Sequence, residues 1–270
     1  MQRRISVLLV VLAVAGAAFV AAAIAGTPQH ALSVQKGDTI VFCSDTTYPP
    51  MESLQGGKAV GADVDIARAV TKVMGKSAEI KTTGFDVIIP ALLKKKCDAI
   101  ISALTNTPER RKQVDFADYV TVGMLLMVKK GNPAHITGLG SLSGKTVAVQ
   151  AATTEKAKLD AQNKLFAKQG KSKVTTKIYP ADTSAAAALL SGKVDAYFTD
   201  ATPALYYIKQ ASGKFQIAGK QIDTAPEGIA TRKGDPLGPQ FKAAIRKLYA
   251  NGSMQKILAK WGLSAFALKK

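Results

Sequence analysis

Apolar residues recur along this chain in two alternating rhythms. Thr39–Ser44 (TIVFCS) is a short apolar run that reads as a buried strand. Residues 63–74 place Ile66, Val70, Val73 and Met74 on one face of a helix, and Gly75 ends it. The same reading makes residues 78–82 a strand, 88–95 a helix and 98–103 a strand, with later strands at Thr146–Gln150 and 194–198. Near the C-terminal end Leu237, Phe241, Ile245 and Leu248 share a helical face. Asn251-Gly252 breaks it, and Met254, Ile257, Leu258 and Trp261 form another. Strand and helix in alternation predict an α/β fold built on parallel sheet.

A weak internal repeat divides that pattern. "ALLKKKCDAI" (91–100) and "ALLSGKVDAY" (188–197) each read as a helix end, a turn and a buried strand. They favour two similar α/β lobes over one. "YVTVGMLLMVKKGNP" (119–133) then carries the chain from the first lobe to the second, and the region of residues 221–229 carries it back.

In open parallel sheets, ligands bind beyond the carboxyl ends of the strands. Four such ends carry chemistry here. "SDTTYPPM" (44–51) holds Asp45 and Tyr48, and "ALTNTPERR" (103–111) holds Arg110. "QAATTEK" (150–156) and "TDATP" (199–203) hold Gln150, Thr154 and Asp200. Thr107-Pro108 starts a helix, so Arg110 sits where the helix dipole disfavours a cation. An arriving anion would explain it. Arg110 offers a fork for a carboxylate, and Asp200 offers acceptors for an ammonium. A zwitterionic amino acid satisfies both. Taken singly, Asp45 and Asp200 could cap turns, Thr153 or Thr154 could cap a helix, and Tyr48 could be a packing residue.

Other motifs carry less. "GSLSGKT" (140–146) has Leu139 where a phosphate loop needs glycine, and it precedes a strand. The only histidines, His30 and His135, fall in expected loops, which disfavours a histidine metal site or a Ser-His-Asp triad. Asp63 and Asp65 open a helix, where acids cap and suit the dipole. No cofactor or metal is expected.

Composition sharpens the class. The 270 residues are 47% hydrophobic, enough for two cores. Arg3 and Arg4 precede an uncharged stretch from Ile5 to Ala25 that ends in Ala23-Ile24-Ala25, so residues 1–25 read as a signal peptide with a cleavage site. At 21 residues the apolar stretch is long for a signal, and an uncleaved anchor is the alternative. Export to the periplasm follows. The formal net charge is +18. Its lysines are scattered without aromatic interleaving, so it reads as a basic surface and not as a nucleic-acid interface. Cys43 lies late in one expected strand and Cys97 begins another. Parallel neighbours would hold their sulfurs at opposite ends, so free buried thiols are expected.

From about Asp38 to Leu263 the chain resembles the polar amino-acid solute-binding proteins of bacterial ABC importers. That group includes histidine-, lysine/arginine/ornithine- and glutamine-binding proteins. The segments that carry the resemblance are "SDTTYPPME", "VGADVDIARAV", "FDVIIPALLKKKCDAIISALTNTPERRKQVDF", "GSLSGKTVAVQAATTEKA", "DAYFTDATPALYYIK" and "NGSMQKILAKWG". The resemblance implies a two-lobe, type II periplasmic-binding fold with a ligand cleft between the lobes. The first lobe would be residues 36–123 plus 224–270, and the second 124–223. It implies that Arg110 clamps the ligand's α-carboxylate with Thr105 and Thr154. Asp200 and the backbone of Ala103 would take the α-ammonium. Tyr48 and Phe85 would cover the apolar stem, and Asp45 and Gln150 would face the side-chain end. A monomer that hands its amino acid to a membrane permease is implied. Ala62, Met51 and Ala152 depart from the family pattern, Ala152 standing where glycine is frequent. The rival from another class is a cyclohexadienyl or arogenate dehydratase-like enzyme on the same scaffold, with Asp45 or Asp200 as acid or base. A sensory binding module is a third reading.

Overall fold

The computed structural model describes residues 38–268, and the expected signal peptide or anchor lies outside them. Among the described residues no helix is long and apolar enough to cross a membrane. The chain opens with β1 (Thr39–Ser44), followed by a small antiparallel ribbon of β2 (Thr47–Tyr48), β3 (Glu52–Gln55) and β4 (Lys58–Val60). Then come α1 (Ala62–Val73), β5 (Ser77–Thr82), α2 (Ile88–Leu93), β6 (Ala99–Ile100) and α3 (Pro108–Arg111). The long strand β7 (Val114–Lys129) leads to β8 (Thr146–Gln150), α4 (Thr154–Lys168), β9 (Thr175–Tyr179), α5 (Asp182–Leu190), β10 (Ala196–Asp200) and α6 (Ala201–Gln210). A second long strand, β11 (Phe215–Arg232), returns the chain to α7 (Leu237–Ala250) and α8 (Ser253–Lys260).

One sheet has the order β5-β1-β6-β11-β7-β10-β8-β9. At one end β1 pairs in parallel with β5 and β6, and at the other β8 pairs in parallel with β9 and β10. These are two α/β halves, with the parallel pairing that the alternating pattern predicts and the division that the internal repeat favours. The long strands depart from it. β7 and β11 are antiparallel to each other, to β10 and to β6. Their pairing slips at three points between Ala218 and Gly228, where bulges bend the ladder between the halves. Gly123 lies at that bend, and a Cβ there would stand 2.3 Å from the Asp223 carbonyl oxygen. Apolar side chains close a core on each half. Phe42, Ile66, Phe241, Ile245 and Leu258 meet in one, and Leu126, Val147, Val149, Phe166 and Phe198 in the other.

Several local expectations shift. The strand expected at 98–103 is only β6, because Ala103 takes a left-handed φ of 43° and turns the chain off the ladder. The strand expected at 194–198 begins two residues later, since Asp195 is occupied in a turn and accepts from the Thr146 N–H. Asp63 is not a helix cap. Gly61 opens α1 without a side-chain cap bond. Asp63 is buried, and its Oδ2 accepts from the Ala103 N–H at 2.7 Å and the Tyr119 hydroxyl at 2.9 Å.

The cysteines are not free thiols. Cys43 and Cys97 form a disulfide with their Cα atoms 5.7 Å apart. Cys97 lies ahead of β6, in the turn leaving α2. That turn folds over the sheet face where Cys43, Ile88, Leu92 and Ile100 pack, so the register of the paired strands does not limit its reach.

Candidate functional site

The carboxyl ends of β1, β6, β8 and β10 converge on one narrow cavity. It is lined by Tyr48, Phe85, Ser102, Ala103, Thr105, Arg110, Gln150, Thr153, Thr154, Glu155 and Asp200. Every residue that the sequence reading places in the site lines it, except Asp45. Asp45 stands behind Gln150, whose Nε2 donates to Asp45 Oδ2.

Arg110 owes its position to the α3 cap. The Thr107 hydroxyl accepts from the Arg110 N–H at 3.2 Å, holding the first turn. From there the side chain lies over the Phe85 ring, 5.5 Å from its centre. Nη1 donates to the Thr105 carbonyl at 2.9 Å and Nη2 to the Ala152 carbonyl at 3.1 Å. One guanidinium thus reaches carbonyls belonging to both halves of the fold. Ala152 presents its carbonyl from a left-handed backbone, φ 60°. That conformation is a reason for glycine to be frequent there.

Across the cavity the Tyr48 hydroxyl donates to Asp200 Oδ2 at 2.8 Å. Together with the Asp182 N–H donating to Thr47 Oγ1 at 3.3 Å, these bonds tie the two halves in a closed arrangement. Each contributes about 0.5–1.5 kcal/mol net. Asp200 opens α6 but makes no cap bond, and its carboxyl faces the cavity.

Burial shapes the electrostatics. It pushes the carboxyls of Asp45 and Asp200 up, while the bonds from Gln150 to Asp45 and from Tyr48 to Asp200 oppose the shift. Burial also lowers Arg110, which the nearby Glu155 and Asp200 carboxyls counter. Opposed charges of this kind suit a ligand bearing a carboxylate at one end and an ammonium at the other.

Ser102, Thr153 and Glu155 line the cavity without having been picked out from the sequence. Ser102 Oγ accepts from the Asp45 N–H and donates to Glu52, so it fixes the first strand end. Thr153 Oγ1 donates to the Gln150 carbonyl and fixes the third. Among the described residues no cluster of His, Cys, Asp and Glu has metal-binding geometry. A roomier groove runs between β7 and α7, but polar groups there pair with each other, Lys233 with Asp115 and the Asn106 amide with Asp118.

The model of the bacterial extracellular solute-binding proteins, family 3, matches residues 40–264. The arginine-binding extracellular protein ArtP of Bacillus subtilis is 30% identical over 227 residues, covering 82% of this chain and 85% of its own. The L-cystine-binding protein TcyJ of Escherichia coli K12 is 30% identical over 232 residues, covering 84% of each chain. Among solved structures, an ancestral arginine-binding protein bound to arginine superposes with a TM-score of 0.76 at 37% identity. That match covers 83% of this chain and 98% of the other.

Proposed function

The chain belongs to the bacterial extracellular solute-binding proteins, family 3, and from that premise we propose how its cleft captures an amino acid. It is an amino-acid-binding protein of an ABC transporter and not an enzyme. Arg110 holds the ligand's α-carboxylate, with Thr105 and Thr154 adding donors. Asp200 and the Ala103 backbone hold the α-ammonium. Tyr48 and Phe85 cover the stem, and Gln150, oriented by Asp45, meets the far end. A carboxylate behind that far end suits a basic or amide side chain, with arginine the first amino acid to test.

The lobes are residues 36–123 with 224–270, and 124–223, hinged where β7 and β11 pass between them. Arg110 belongs to the first lobe, and Thr154 and Asp200 to the second. A ligand that touches both favours the closed form over the open one, and that difference drives closure. Micromolar capture requires about −8 kcal/mol, within reach of a desolvated charge-assisted clamp. The closed monomer then docks on the membrane permease.

The observation that carries the residue assignment is the placement of Arg110 and Asp200 in one buried cavity. Calorimetry of the mature protein against the common amino acids tests it. Arg110→Ala should weaken binding by more than about 100-fold, the loss of a charge-assisted pair worth about 3 kcal/mol, with the fold intact. Unchanged affinity in that variant would overturn the clamp.

A further inference from the structure

Glu155 is the third residue of "TTE" at the start of α4, where an acid ordinarily reads as dipole complement in solvent. Here its exposure is only 2%, and it lines the cavity beside Asp200. Thr154 Oγ1 donates to Glu155 Oε2 at 3.2 Å, while Oε1 is buried with no protein partner. Four other elements bring charged or titratable groups toward it: Asp200 ends β10, Tyr48 is in β2, Arg110 is in α3 and Glu227 is in β11. That is one cation against three carboxyls. Glu155 and Asp200 are both buried in the one cavity, and two carboxyls so placed are relieved of their mutual repulsion when one carries a proton. Burial and the adjacent Asp200 push Glu155 well above the usual carboxylate range, so Glu155 is the one that carries it.

An ammonium brings three N–H donors. Asp200 and the Ala103 backbone supply some of their acceptors, and one Asp200 oxygen already accepts from Tyr48. The unpartnered Glu155 oxygen is an acceptor in the same cavity.

We propose that Glu155 is a second receptor for the ligand's ammonium group, which replaces a proton held on Glu155 beside Asp200. The exchange balances: the proton leaves Glu155 for solvent, and the ammonium brings the positive charge and the N–H donors that the two carboxyls then share. The inference rests on the functional reading above.

Calorimetry with the tightest-binding amino acid of the panel, L-arginine first, in two buffers of different ionisation enthalpy reads the proton count. The wild type should release close to one proton per ligand while Glu155 is protonated in the free protein, and over that range its Kd should tighten by about tenfold per pH unit as the pH rises. Glu155→Gln keeps a donor toward Asp200 and an acceptor for the ammonium, so it should bind with no release and a flat pH profile. Binding by the wild type without proton release overturns the proposal, whether or not the variant folds, and so does undiminished release in the variant. The ligand-free protein gives an independent reading. An infrared difference spectrum between the wild type and Glu155→Gln should show the loss of one protonated-carboxyl band against those of other buried acids such as Asp182, and a spectrum without that loss overturns the proposal. If no amino acid of the panel binds, the functional reading fails, while the infrared band still decides whether Glu155 holds the proton.

Discussion

The two segments of the internal repeat build the same joint by different means. In both, the helix unwinds through matching backbone bonds, Lys95 to Leu92 and Lys96 to Ala91 in the first, Gly192 to Leu189 and Lys193 to Ala188 in the second. In both, the aspartate then clips the strand beside it. Asp98 exchanges bonds with the Val41 backbone, and Asp195 with that of Thr146. Even the lysine that covers the turn recurs, Lys81 donating to the Lys96 carbonyl and Lys177 to that of Lys193. The differences are what fill the joint. The first has a disulfide between Cys43 and Cys97, where the second has Ala148 and Val194 in an apolar cluster. The first forces Lys95 to a φ of 57°, where the second uses Gly192 at 76°. The second carries a buried acid, Asp182, six residues before its repeat, at the place where the first has Phe85. The backbone bonds define the joint, and side chains that differ in kind can stabilise it.

The largest difference to remove is the disulfide. Cys43→Ala with Cys97→Val gives the first joint the filling of the second. The 54-residue separation sets a chain-entropy loss of about 4 kcal/mol. Urea unfolding should show it, and a loss below about 1 kcal/mol would mean that packing alone holds the joint.

The next is Asp182, which accepts from the hydroxyls of Tyr197 and Tyr207. Burial raises it from 3.8 to about 7. Between those values the unfolded chain has lost the proton that the folded chain keeps. Stability should therefore fall as pH rises, by about 1.4 kcal/mol per unit, and level off above pH 7. Asp182→Asn should remove that contribution from a series of urea midpoints.

The smallest effect is the turn. Lys95→Gly should stabilise by about 1 kcal/mol by relieving a left-handed side-chain position, and Gly192→Lys should cost a similar amount. Equal effects of the same sign would show that the two turns are not equivalent.

Much of this was legible in the sequence, for reasons that differ by residue. The bounds of β1 and β8 follow from apolar runs bounded by polar residues, and the repeat located both joints. Arg110 stood out because Thr107-Pro108 placed it in the first turn of an expected helix, although α3 is a single turn and Arg110 lies in its last turn as well. Glu155 and Asp63 did not, because an acid in the first turn of a helix satisfies the dipole whether exposed or buried, and only tertiary packing separates the cases. β11 was hidden by Gly219, Pro226 and Gly228, turn-forming residues that its bulges accommodate. The disulfide depended on how a turn folds over a face, which strand register does not encode.

The bond between Gln150 and Asp45 has a further consequence. Counted from the aspartate clips, Asp45 lies four residues beyond Val41 and Gln150 four beyond Thr146, so the two hold the same place in their respective halves. Their contact is isologous, like one made across the axis of a homodimer, but here within a single chain. A pocket on such an axis begins with two similar walls and no preferred direction. An amino acid has a head and a tail, so what orients it must come from places where the two walls differ. Ala103 and Asp200 form such a place. They hold matching positions, five residues beyond Asp98 and Asp195, yet one offers only backbone and the other a buried carboxyl. Polarity in this cleft therefore arises where two matching joints differ in their side chains.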